Sequence, residues 1–120
     1  MTIRLADPQR DFEGILAIVN AFEETPIEHD VARRWFEYMP AGRVARRTVA
    51  VDGSGAIVGY GAIVHEAWQP DGAFYVWVGV LPEYRSQGYG RALALDARAY
   101  LEQNQARHLR SEVRDDDAPS

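Results

Sequence analysis

The stretch Val78-Gly79-Val80-Leu81-Pro82-Glu83-Tyr84-Arg85-Ser86-Gln87-Gly88-Tyr89-Gly90-Arg91-Ala92-Leu93 decides how this chain is read. It opens with the apolar run of a strand, passes a proline and two glycines, and ends where helical spacing begins. A strand that turns through glycines into a helix makes an anion site. Glycine lets the backbone approach a ligand closely, and the first-turn amides point at it with the positive end of the helix dipole behind them. Arg85 and Arg91 add charge, and a pyrophosphate suits the arrangement best. Two other phosphate loops are excluded: the dinucleotide fingerprint needs a glycine where Leu93 stands, and the Walker loop needs a lysine, which this chain lacks.

Working outward, the residues before the loop read as strands. Ala73 to Val80 is one, preceded by a turn at Trp68-Gln69-Pro70-Asp71-Gly72; Ala56 to Val64 is another, joined to Thr48–Val51 through Asp52-Gly53-Ser54-Gly55. These make three consecutive antiparallel strands. Ahead of them, Ile3 and Leu5 alternate with Thr2 and Arg4 in a short first strand. A helix from about Asp11 to Glu23 follows, with Phe12, Ile15, Leu16, Val19 and Phe22 on one stripe. Thr25-Pro26 breaks it, and Val31, Trp35, Phe36 and Met39 suggest a second helix closed by Pro40-Ala41-Gly42. After the loop, Gly88 to about Gln103 is helical with Leu93, Ala97, Tyr100 and Leu101 on one face, and Leu109 to Val113 is a strand. Strand, helix, strand implies a parallel crossover. The fold class is therefore α/β (α+β): a mixed sheet with strands one to four antiparallel, a helix pair after strand one, and a strand 4–helix 3–strand 5 crossover.

The 120 residues fit one domain, 1–120, and 47% hydrophobic with 26% charged residues suits a packed core. No repeat or low-complexity linker interrupts it. Without cysteine there is no disulfide, thiolate metal site or cysteine nucleophile. All 13 basic residues are arginine, which removes Schiff-base and pyridoxal-phosphate lysines. A net charge of -5 disfavours a general nucleic-acid partner. No apolar run reaches membrane-spanning length and the start has no secretory pattern, so the expected setting is cytoplasmic with no membrane partner. His29, His65 and His108 lack ligand spacing, and no metal is expected.

Arg85-x-x-Gly88-x-Gly90, with Val78-x-Val80-x-Pro82-x-Tyr84 before it and Arg91-Ala92-Leu93 after it, resembles the signature of the GNAT superfamily of acetyl-CoA-dependent N-acetyltransferases. Asp52–Tyr60 resembles that family's central hairpin, and the opening strand and helix pair its N-terminal half. The resemblance implies acetyl-CoA as cosubstrate. It implies that Arg85, Ser86, Gln87, Gly88, Tyr89 and Gly90 surround the CoA pyrophosphate, chiefly through main-chain amides, with Arg91 nearby. It further implies that the Val78-Gly79-Val80 strand bulges and splays from its parallel neighbour, so that Val78 and Val80 offer main-chain groups to the pantetheine arm. The reaction implied is direct attack of an amine on the thioester, the amine being deprotonated by a base or through water.

Two departures bear on this. Where some members place a basic glutamate, this chain has Phe74, so His65 and Glu66 at the end of the preceding strand become the candidates for base or water relay. The family fold also continues past the strand ending near Val113 with another helix, two strands and a tyrosine that protonates the leaving thiolate; these are absent from this sequence. The chain is thus expected to be the N-terminal and central part of a GNAT domain, within a longer or tandem protein or a homodimer that completes the sheet. Asp115, Asp116 and Asp117 stand where the family often sets an asparagine or aspartate beside the pantetheine. The expected partner is a small-molecule or peptide amine, the alternative being a non-catalytic acyl-CoA-binding module. Arg33, Arg34, Arg43, Arg46 and Arg47 would meet the 3'-phosphate of CoA or an acidic substrate, or form a solvated face. Trp35, Phe36, Phe74, Tyr75 and Trp77 would line the acceptor pocket or fill the core.

Overall fold

The computed structural model describes residues 2–114, arranged as one five-stranded sheet with helices on both faces. Strand β1 (Thr2–Leu5) leads to helices α1 (Phe12–Asn20) and α2 (His29–Glu37); then come β2 (Val44–Val51), β3 (Ile57–His65), β4 (Ala73–Val80), α3 (Tyr89–Gln103) and β5 (His108–Arg114). Spatial order follows chain order. Every neighbouring pair is antiparallel except β4 and β5, which run parallel on either side of the α3 crossover. This is the mixed α/β sheet that the sequence predicts. Among the described residues no helix is long and apolar enough to cross a membrane.

Alternation along β4 sorts the two faces. Phe74, Val76, Val78 and Val80 face α3, where they pack with Leu93, Ala97 and Leu101. Trp77 faces the other way, with Ile15, Ile18 and Tyr60 beneath α1. The α3 face needs a close approach. Ala50 opposes Gly59 while Val51 opposes Ile57, so Val58 is an extra residue in β3, and Val58 and Gly59 both turn toward α3. A Cβ on Gly59 would lie 2.9 Å from Leu93 Cδ1, which is why glycine stands there. Arg46 of β2 then pins α3 through Asp96 at 2.7 Å. Next to α1, the buried Asp11 accepts two bonds from the Arg4 guanidinium, at 2.7 and 3.0 Å, and one from the Asp7 amide.

Three expectations are corrected. The first helix ends at Asn20, because Phe22 and Glu23 bond only to the third residue back and Pro26 bars continuation; its buried stripe includes Ile18, fully enclosed, while Leu16 is only half-buried. The second helix stops at Glu37, short of Met39, where Tyr38 turns extended; at its start the Glu28 carboxylate accepts the amides of Asp30 and Val31 and caps it. Strand β2 begins at Val44, four residues early, because Arg46 and Arg47 lay their stems along opposite sheet faces. Asp115, Asp116 and Asp117 lie outside the described residues.

Candidate functional site

The chain leaves β4 at Val80 and closes a 3-10 turn, Pro82–Tyr84, with Pro82 in its first position and the Tyr84 amide bonded to Leu81 O at 2.9 Å. Arg85 is extended, and Ser86 then adopts a left-handed φ of 61°. Gly88, at φ 92° and ψ 0°, is the N-cap of α3. That conformation is nearly free for glycine and strained for other residues. Among the described residues no side chain caps the helix at Gly88, which leaves the amides of Tyr89, Gly90 and Arg91 at the positive end of a 15-residue helix. Ser86, Gln87, Gly88 and Arg91 are exposed, whereas the Tyr89 ring is buried edge-on to Tyr84 at 6.1 Å. The negative charge of Asp52, at the β2–β3 turn, holds the Tyr84 phenol above its ordinary range. The donor set is main-chain amide and guanidinium, which fits a diphosphate.

The β4 backbone runs into this loop with a defined polarity. The Leu81 amide bonds Val58 O on β3 at 2.9 Å, so by antiparallel alternation the N–H and C=O of Val78 and Val80 face the β5 side. The predicted bulge and splay of β4 are absent among the described residues. Its register against β3 is constant, and its parallel pairing with β5 runs unbroken from Ala73↔His108 to Gly79↔Arg114. Parallel pairing without an inserted residue gives the strands nothing to diverge around; the inserted residue is Val58 in β3. Gly79 carries the Trp77 indole, and a Cβ at 79 would run into that ring.

His65 and Glu66 are not brought to the loop. Val80 pairs with Gly59, and His65 lies six residues further along β3, roughly 20 Å at strand rise. There His65 Nδ1 sits 2.7 Å from Ala73 O, and Glu66 takes a bidentate pair from Arg43, whose guanidinium holds the Glu66 carboxyl below its ordinary range. Phe74 is core on the α3 face, in contact with the His65 ring at 5.6 Å. The basic concentration is likewise dispersed: Arg43 pairs with Glu66, Arg46 with Asp96, Arg33 lies 3.9 Å over the Phe12 ring, and Arg47 lies 4.1 Å over Phe36. Arg85 lies over the Phe22 ring at 5.7 Å, on the α1 side.

Sequence reasoning missed Tyr60, Glu112 and Arg114, which line cavities under α1 together with Trp77, Phe36 and Arg47, the last named there only as one of a basic concentration. Only the cross-strand register brings them together, and no local spacing records it. Of the aromatics predicted for a pocket, Trp77 and Phe36 are there, Trp35 stands at its mouth 63% exposed, Tyr75 is largely exposed and Phe74 is core.

No curated protein sequence matches the chain at a significant level. Solved structures do match in fold. A GCN5-related N-acetyltransferase from Kribbella flavida superposes with a TM-score of 0.72 at 24% identity, over 90% of this chain and 68% of that one. A ribosomal-protein-alanine N-acetyltransferase from Brucella melitensis gives 0.73 at 21%, over 94% and 74%. A tandem GNAT protein from the clavulanic acid biosynthesis pathway gives 0.77 at 19%, over 93% of this chain and 36% of that one. The model of the acetyltransferase (GNAT) family matches residues 12–120. With the glycine-opened helix end following a parallel-paired strand, that match settles the family: the chain belongs to the GNAT acetyltransferases.

Proposed function

We propose that the protein is an N-acetyltransferase that moves the acetyl group of acetyl-CoA to a primary amine by direct attack. The observation that carries this reading is the uncapped α3 N-terminus, opened by a left-handed Gly88, at the end of a strand whose Val78 and Val80 main-chain groups face β5. When bound, acetyl-CoA supplies an activated thioester, at which a C–N bond to the amine forms and the C–S bond breaks. In this reading the amides of Ser86 to Gly90 and the charge of Arg91 hold the diphosphate, while the main chain of Val80, past the last described β4–β5 pair, meets the pantetheine arm; the Val78 groups are taken up by β5. The N–H of Val80, one residue beyond the last described β4–β5 pair, is the donor for the carbonyl oxygen as negative charge develops on it. The attacking amine loses its proton to water or to a carboxylate at the cleft under α1. His65 and Glu66, held at the far end of the β3–β4 hairpin, have no part in this scheme.

One observation favours a second reading, an acyl-CoA-binding module: Phe74 puts no carboxylate at the position where some members carry their base. Offering acetyl-CoA with a panel of primary amines separates the two, with thiol release and product mass as readouts. The enzyme reading predicts a product 42 mass units heavier than its amine, the mass of an acetyl group replacing hydrogen. Cofactor binding with no product from any amine would replace it with the module.

A further inference from the structure

Two cavities under α1, of about 200 and 410 Å³, adjoin at Val19 and Tyr60, which line both, in a cleft over the middle of β3. The sheet register lays out its floor. Arg47, Ala62, Trp77 and Glu112 are successive partners across β2, β3, β4 and β5, and Tyr60 stands in the next row as the partner of Gly79. Three strand spacings separate the outer two Cα atoms, roughly 14 Å. The ends of this row carry opposite charge. At one end Glu112 accepts the Trp77 indole N–H at 2.8 Å and pairs with Arg114. At the other, the Arg47 guanidinium lies over Phe36 and lines the same cavity wall as Tyr60.

Arg47 differs from its neighbours. Arg4, Arg43 and Arg46 each bond a carboxylate, on Asp11, Glu66 and Asp96, whereas Arg47 has no carboxylate partner among the described residues. Its charge borders an apolar cavity instead. A guanidinium resting over an aromatic ring at the edge of an apolar cavity is placed to receive a planar anion, because its fork matches a carboxylate.

We propose that this cleft takes an acceptor of amino-acid size in which the amine is accompanied by a carboxylate and an apolar body. Arg47 binds the carboxylate, Tyr60 and the wall of α1 hold the apolar body, and the amine, on the carbon that bears the carboxylate, points from Arg47 across β3 toward β4. The inference rests on the acetyltransferase reading for its chemistry but not for its binding.

Trp35 and Trp77 border the cleft, so tryptophan fluorescence reports occupancy without turnover. The experiment titrates leucine and phenylalanine, and separately 3-methylbutylamine and 2-phenylethylamine, which have the same side chains but no carboxylate. It uses the full chain and its Arg47→Gln and Arg47→Lys variants, and measures acetyl transfer to the same four compounds. The amino acids are expected to bind at least about tenfold more tightly than the amines, with Arg47→Gln erasing the difference and Arg47→Lys keeping part of it. Acetyl-CoA affinity should stay unchanged, which distinguishes a lost carboxylate site from a misfolded variant. Equal binding of both sets, preference for the amines, or a preference that survives Arg47→Gln in a folded protein overturns the proposal. Transfer to the carboxylate-free amines alone would overturn it and leave the enzyme reading standing, while Arg47-dependent binding with no transfer would keep the site and remove the enzyme.

Discussion

Gly79 lies directly beneath the Trp77 indole, which in turn reaches Glu112, so a methyl group there has nowhere to go. Gly79→Ala is expected to cost about 1–3 kcal/mol in chemical denaturation, because a rigid ring and the neighbouring Phe22 must both shift. The Trp77 emission should move with it; unchanged emission and stability would mean that the indole does not sit on this backbone. Asp11 makes a second test. The Arg4 guanidinium, more than any other group, lowers its carboxyl from 3.8 to about 2. A carboxyl depressed on folding contributes stability that is complete above about pH 4 and disappears as the pH falls through about 2. Asp11→Asn should therefore cost about 2 kcal/mol at neutral pH and progressively less toward pH 2, as read by urea unfolding at several pH values. A cost that does not vary with pH would contradict the ion pair. Gly88 was legible from the sequence because a left-handed turn leaves a glycine behind; Arg47 was legible only as one of five clustered arginines, because what sets it apart, the lack of a carboxylate partner among the described residues, is not recorded by sequence spacing.

The hairpin of β3 and β4 sets which end of the sheet each group occupies. Arg43 and Glu66 close the end remote from the loop, so Glu66→Gln is expected to lower Tm slightly and to change the acetyl-CoA Kd by less than about twofold. A loss of turnover in a variant of unchanged Tm would instead return Glu66 to the chemistry. Helix α3 and the strand before it were readable because proline and glycine punctuate them: the predicted Gly88–Gln103 became Tyr89–Gln103, and Ala73–Val80 was unchanged. Strand β2 was truncated in the reading because Arg46 and Arg47 resemble a solvated loop until their stems are seen on the two sheet faces. The positions of His65 and Glu66 depended on register, and hairpin register is fixed by pairing along the whole of β3 and β4 rather than by the residues at its end.

Across the molecule, β3 is the central strand, paired on both sides and covered by α1 on one face and α3 on the other, while β1 and β5 form the edges of the described sheet. Native-state hydrogen exchange should accordingly find the amides of Gly59 to Ile63 the slowest and those of Thr2 to Leu5 among the fastest of the strands. Faster exchange in β3 than in β1 would mean that the two cores do not share that strand. The sheet order and the parallel crossover were legible because each element has its own periodicity, whereas the cleft under α1 was not, since four strands contribute one residue each to its floor. Acyl-CoA binding at the β4–α3 loop is the claim on which the functional reading depends. It is tested most directly by calorimetric titration of acetyl-CoA into the protein and into Gly88→Trp, with circular dichroism to verify the fold of both. One-to-one binding to the protein that is lost in the folded variant is the predicted result; equal binding to both, or none to the folded protein, would contradict it.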